Sequence, residues 1–307
     1  MKNILLLGGN GYVGSFLNYK FKNIFNIKNI DLNWFIDNEE KVDYNALSKE
    51  YINNFDSVIL LAGHSSVKMC DNDMLSSFNN NIKNFINLLT KINKSQKFIY
   101  ASSSSVYGNT QKSVVSETYN NFDPYNYYDL TKQIIDSYAQ KTELNYYGLR
   151  FGTVNGWSPH LRTDIMINSM TYCAVEEKHI KLYIKDISRA ILGIDDLANS
   201  IKAIIDCNKN NSGIYNIASF NDTAENIAKD VSQICNVPVV EYDLNNLDKI
   251  KNVKVQLKAY DFSIDTTKFE KTFNFKFKDT TKNITRNLLL NYNNCIKTSR
   301  NENINYE

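Results

Sequence analysis

Glycines at positions 8, 11 and 14 follow the apolar run Ile4-Leu5-Leu6-Leu7 and open a stretch with helical spacing. Few folds accept that combination. The first glycine permits a tight turn, the second lets backbone come close to a pyrophosphate, and the third lets a helix lie against the strand. The run therefore predicts a strand–turn–helix unit of a parallel sheet, with a dinucleotide at the helix N-terminus.

The rest of the first half continues this pattern. Apolar runs at Asn3–Leu7, Asn26–Asp31, Ser57–Leu61, Lys97–Ala101 and Tyr146–Phe151 alternate with helix-length stretches such as Ser76–Ile92 and Tyr128–Lys141. Alternation of this kind gives an α/β fold, a doubly wound parallel sheet of Rossmann type, followed by a smaller C-terminal α/β substrate domain. The expected boundaries are 1–152 for the dinucleotide domain, with 181–218 returning to it, and 153–180 plus 219–296 for the substrate domain. The second half is less regular. Gly152–His160 reads as a loop, Leu161–Ala174 as a helix, Ile180–Ile184 as a strand, and residues 297–307 as a loose tail.

Composition excludes several function classes. Thirty-five basic against thirty-three acidic residues leave a net charge of +2, too balanced for an electrostatic nucleic-acid binder. No apolar stretch is long enough for a membrane span or the core of a secretion signal, so a cytoplasmic protein without membrane insertion is expected. The five cysteines are scattered and lack CxxC spacing, and His64, His160 and His179 lack metal-ligand spacing; no metal site is expected. His64 follows Ala62-Gly63 closely enough to approach a substrate, or to be an ordinary loop histidine.

Asp31 ends the second strand, seventeen residues after Gly14. A carboxylate there can accept both adenosine ribose hydroxyls and would repel a 2′-phosphate, which favours NAD over NADP. Asp37 competes for this role but lies beyond the apolar run. Further along, Tyr128 and Lys132 stand four apart and share one helix face. An ammonium beside a phenol lowers a pKa that starts at about 10, and a phenol so tuned can act as a general base. Tyr125 and Tyr127 have no lysine at that spacing.

Taken in order, Gly8-x-x-Gly11-x-x-Gly14, Leu61-Ala62-Gly63, Asn81, Ser103-x-x-Val106-Tyr107-Gly108, Tyr128-x-x-x-Lys132 and Leu149-Arg150-Phe151-Gly152-Thr153-Val154-x-Gly156 resemble the extended short-chain dehydrogenase/reductases of the nucleotide-sugar epimerase/dehydratase family. The resemblance runs from Lys2 to about Leu290. It implies that Gly8, Gly11, Tyr12, Val13, Gly14, Asp31, Asp43, Leu61, Ala62, Gly63 and Asn81 hold NAD together with Tyr128 and Lys132. Asp43 would lie beside the adenine. It also implies a Ser103–Tyr128–Lys132 catalytic set, with Ser65, Ser103, Ser105, Thr153, Arg162 and Asn168 toward the sugar nucleotide and Asn168 meeting the diphosphate. The serines beside Ser103 are read mainly as packing and loop residues.

Where 4,6-dehydratases of the family carry Asp and Glu after the catalytic Ser or Thr, this chain has Ser104 and Ser105. That departure favours a 4-epimerase of the UDP-galactose type working through a 4-keto intermediate. A 4-dehydrogenase or 4-keto reductase is the alternative, and an idle relative that senses NAD or binds a partner is a remote one. Ser158-Pro159-His160-Leu161-Arg162-Thr163-Asp164 is similar to a stretch of family enzymes that build bacterial surface polysaccharides. Arginines that the family uses as diphosphate clamps are absent at His179 and around Lys258-Ala259-Tyr260-Asp261. The helices over 76–92 and 123–142 carry apolar surface suited to a homodimer, as in the family.

Overall fold

The structure is a computed structural model describing residues 1–34, 40–110, 113–242 and 261–299. Asp37 and Lys258 to Tyr260 lie outside the described residues. Six strands form the main sheet: β1 (Asn3–Leu7), β2 (Asn26–Ile30), β3 (Ser57–Leu60), β4 (Lys97–Ser103), β5 (Tyr146–Phe151) and β6 (Gly213–Ile217). Their spatial order is β2-β1-β3-β4-β5-β6, and every pairing is parallel. A parallel sheet covered on both faces needs apolar residues at consecutive positions. Ile4 to Leu7 and Val58 to Leu60 are all buried, whereas the edge strand β2 exposes Asn26 and Lys28. Successive side chains point to opposite faces. Ile4, Leu6 and Ile59 thus join one apolar cluster, while Leu5, Leu7 and Val58 join the other.

Strand order reverses between β1 and β3, and this switch point locates the cleft. Leu7 pairs with both Ile30 and Leu60, so three strands end at one level. Helix α1 (Tyr12–Phe21) leaves from β1, helix α2 (Asn84–Lys91) covers one face of the sheet, and helix α3 (Tyr127–Ala139) follows β4. The expected single helix over 76–92 is interrupted by a π-turn at Asn79–Lys83. The wider turn accompanies a buried Asn81, whose side chain bonds the Gly63–His64 loop and Thr131 rather than solvent.

The second half departs from expectation in four places. Thr153–Asn155, expected as loop, is a strand paired with Ser188–Gly193. Helix α4 starts at Met166 and runs to Glu176, because His160–Arg162 is extended and pairs with Ile296–Thr298. Lys297 and Thr298 therefore do not belong to a loose tail. Finally, 181–218 does not return to the first domain as a unit. Ile180–Leu182 pairs with Val239–Glu241, and Ser188–Gly193 with Phe220–Thr223; from helix α5 (Ile194–Asp206) to β6 the chain packs on the main sheet. Among the described residues no helix is long and apolar enough to cross a membrane.

Candidate active site

The glycine turn is built by close contact. Gly8 has φ +89°, and a Cβ there would lie 2.4 Å from the Ala62 nitrogen, so the ends of β1 and β3 approach only as bare backbone. At Gly14 a Cβ would meet the Gly8 carbonyl oxygen at 2.3 Å, which ties α1 to the strand. Gly11 differs. Its nearest neighbour would be 3.6 Å away, and it faces a cleft of about 690 Å³. Tyr12, Val13 and the uncapped N-terminus of α1 continue that wall.

Asp31 lines the same cleft, with Oδ2 accepting from the Asn10 amide and Oδ1 from the Asn33 amide, both at 2.8 Å. The carboxylate thereby joins the strand end to the glycine turn. Leu61, Ala62 and Gly63 form the facing wall. An open backbone at Gly11, a helix N-terminus and a strand-end carboxylate suit an elongated dinucleotide. Two expected cofactor residues lie elsewhere. Asp43 is exposed and caps a 3₁₀ turn through the Asn45 amide, leaving its neighbours Val42 and Tyr44 on the wall. Asn81 is buried behind the cleft and braces the His64 backbone through its amide and its carbonyl.

The three expected catalytic side chains meet in the cleft. Ser103 ends β4, and its hydroxyl lies 2.7 Å from that of Ser105. Tyr128 enters from the first turn of α3, which Asn126 caps through the Asp129 amide. Lys132, one turn on, donates to the Ala101 carbonyl at 2.8 Å and lies 5.6 Å from the Tyr128 ring centroid. Burial pushes the Tyr128 hydroxyl up to about 12, although a hydrogen bond with Ser103 acts in the opposite direction. Burial also brings Lys132 down to about 8. Contrary to expectation, Lys132 does not bring Tyr128 below its ordinary pKa: desolvation dominates, and the groups that favour phenolate are Ser103 and Arg162.

On the other side, Ser65, Thr153 and Arg162 reach the cleft wall. The Arg162 guanidinium is gripped by Asp164 through Nε at 3.0 Å and Nη2 at 2.8 Å, and Nη1 donates to the Ser65 carbonyl at 3.4 Å. Asn168 is not on the wall. It is buried, takes the Gly156 amide on Oδ1, and donates to the Arg162 carbonyl at 2.9 Å, so it positions Arg162 instead of facing a diphosphate.

Arg189, Trp34 and His64 also line the cleft. Arg189 was missed because it lies within a short, otherwise apolar strand, Ser188–Gly193; the signal available was the scarcity of arginine, five in the whole chain. It places a second guanidinium where the sequence suggested that the clamp was weakened, while His179 bonds locally to the Glu177 carbonyl. His64 is fully buried, stands edge-on to Trp34 at 5.4 Å, and is held below its ordinary pKa by desolvation. Among the described residues no cluster of three His, Cys, Asp or Glu side chains is placed to hold a metal.

Known proteins share this architecture. MoeE5, solved with UDP-glucuronic acid and NAD, superposes with a TM-score of 0.77 over 93% of this chain and 97% of its own, at 19% identity. The UDP-glucuronic acid 4-epimerase of Bacillus cereus, solved with UDP-glucuronic acid and NAD, gives 0.76 over 93% and 97%, at 21% identity. These likenesses establish the fold. In sequence, protein CapI of Staphylococcus aureus is 29% identical over 188 residues, which is 58% of this chain and 56% of that protein. UDP-glucuronate 4-epimerase 4 of Arabidopsis thaliana is 30% identical over 171 residues, 52% of this chain and 39% of its own length. The chain thus spans about half or less of the curated relatives it matches. Residues 4–218 match the family described as NAD dependent epimerase/dehydratase, and they contain the glycine turn, Asp31, Ser103, Tyr128, Lys132, Arg162 and Arg189. With well over half of its length covered in this way, the chain belongs to the NAD-dependent epimerase/dehydratase family.

Proposed function

We propose that the protein is an NAD-dependent nucleotide-sugar 4-epimerase. The observation that carries this reading is the juxtaposition of Tyr128 and Ser103 on the cleft wall, with Lys132 behind them and serines at positions 104 and 105. Gly11 and the N-terminus of α1 would hold the cofactor pyrophosphate, and Asp31 the adenosine ribose. When bound, NAD supplies an acceptor for a hydride from the sugar carbon and a donor for its return. Tyr128 takes the proton of the reacting hydroxyl. Ser103 orients that hydroxyl and stabilises charge growing on its oxygen. Lys132, one turn beyond the phenol and bonded to the Ala101 carbonyl, would hold the cofactor ribose.

Arg162 and Arg189 would meet the substrate diphosphate, where planar guanidinium groups bind in two-point fashion. The named relatives make UDP-glucuronate the first substrate to try. The likeness of the Arg162 segment to surface-polysaccharide enzymes suggests that class of pathway. Incubation with UDP-, GDP- and dTDP-sugars, with products resolved by NMR, tests the reading. A sugar inverted at C4 is the expected product. A 6-deoxy-4-keto product, or net NADH release with a free keto-sugar, would overturn it.

We also propose a homodimer through α3 and the neighbouring Met74–Phe78 helix, where Leu75, Phe78 and Leu130 are exposed. Sedimentation showing only monomer at micromolar concentration would remove that part.

A further inference from the structure

His160–Arg162 is a three-residue strand with different anchors on its two flanks. On one side it sits against the cofactor turn: His160 Nδ1 bonds the Asn10 carbonyl at 2.5 Å, and the His160 amide donates to Ser15 Oγ at 3.3 Å. On the other side lies Ile296–Thr298, in parallel register with His160, Leu161 and Arg162. The Ile296 amide donates to the Pro159 carbonyl at 2.8 Å, and the Thr163 amide donates to the Thr298 carbonyl at 2.9 Å. The Thr163 hydroxyl reaches the same carbonyl at 3.1 Å. The cofactor-turn anchors therefore hold residue 160, whereas the backbone of Arg162 and Thr163 is held by Ile296–Thr298 and by Asn168, and the Arg162 guanidinium is oriented by Asp164 and the Ser65 carbonyl.

The C-terminal strand is itself lightly fastened. Lys297 Nζ stands 4.0 Å from the Tyr292 ring centroid, and the Tyr292 hydroxyl donates to Glu176 at the end of α4 at 2.5 Å. A lone two-stranded pair of this length is marginal in water. Its persistence must come from what it packs against, and Arg162 is the part of that neighbour which faces the cleft.

We propose that strand Ile296–Thr298 is a positioning element for Arg162, fixing the guanidinium where it meets the diphosphate of the substrate. This rests on reading the cleft as a nucleotide-sugar site. Two consequences follow from the geometry. Loosening the strand moves Arg162 while leaving the glycine turn in place, so substrate binding weakens and NAD binding does not. By linkage, a nucleoside diphosphate held by Arg162 must in return stabilise the strand.

The test uses the full chain and Ile296→Pro, which removes the amide that donates to Pro159. Loss of one such anchor is expected to raise KM for the nucleotide sugar roughly three- to tenfold, with kcat within about twofold and NAD affinity unchanged. In the wild type, UDP should slow hydrogen exchange at the Ile296 and Thr163 amides. A merely structural strand would lower thermal stability without splitting KM from kcat and without answering to UDP. An unchanged KM in the variant, or exchange indifferent to UDP that binds, would overturn the proposal while leaving the function reading intact. A wild type that neither binds UDP nor turns over any nucleotide sugar would overturn both.

Discussion

Lys132 and Tyr128, one helical turn apart on α3, share a buried site in which the ammonium lies 5.6 Å from the phenol ring centroid and bonds the Ala101 carbonyl. Burial lowers Lys132 to about 8. An unfolded lysine keeps its proton to about pH 10.4. Between those values the unfolded chain binds more protons than the folded one, so this group makes stability rise with pH. The cost of holding Lys132 charged is complete below about pH 8 and is relieved above it. Relative to Lys132→Met, the wild type should gain stability from pH 7 to 9.5, by roughly 2 kcal/mol. Urea denaturation of both proteins across that range measures it; a difference independent of pH would show that the lysine is not desolvated.

Tyr128 and Tyr127 provide an internal contrast. Tyr128 lines the cleft against Ser103, while Tyr127 is 47% exposed. Loss of a positioned base costs about a hundred- to ten-thousand-fold in rate. Tyr128→Phe should lose turnover on that scale and retain NAD, and Tyr127→Phe should behave as wild type. Steady-state kinetics with the best sugar of the panel decide it. Normal turnover by Tyr128→Phe would mean that the base lies elsewhere.

Asp31 combines two tasks, because its oxygens already take the Asn10 and Asn33 amides while facing the cleft. On the proposed reading, Asp31→Ala removes the ribose acceptor and loosens the turn together. NAD affinity should fall about tenfold or more, by the size of a charge-assisted hydrogen bond. NADP should lose less, since the repelling carboxylate has gone. Fluorescence titration with both cofactors reads the gap; a wild type preferring NADP would place the ribose away from Asp31.

The glycine turn, the parallel strands and the Tyr128–Lys132 pair were legible because each depends on local chemistry: backbone closeness, continuous burial, four-residue spacing. The Arg162 strand was not. Its partner lies more than 130 residues away, at Ile296–Thr298, and nothing in Leu161-Arg162-Thr163 alone chooses strand over helix. Asn81 and Asn168 were legible as polar residues near the cleft, but the backbone groups they bond were not. Spacing shows that a polar side chain is near a cleft, whereas which backbone groups it satisfies depends on long-range packing. The Tyr128 pKa failed for a related reason: the sequence shows the lysine but not the depth of burial, and desolvation outweighs it.

Burial sets the last prediction as well. Arg150, 3% exposed, donates through Nε to Asp136 Oδ2 and through Nη1 to the Tyr107 hydroxyl, each at 2.8 Å. Asp136 also accepts from the Tyr100 hydroxyl at 3.1 Å and lies two turns beyond Tyr128 on α3. Tyr107 ends the 3₁₀ turn that begins at Ser104, immediately after Ser103. The guanidinium thus connects the helix bearing Tyr128 to the turn following Ser103. Arg150→Met would leave the Asp136 charge buried without its cation, a change that typically costs about 3–5 kcal/mol. Asp136→Leu in the same background removes that stranded charge, so the double variant should recover a large part of the loss. Urea midpoints of the wild type, the two single variants and the double variant give the coupling directly. Additive losses would mean that the two side chains do not stabilise each other, and that helix and turn are held in place by apolar packing alone.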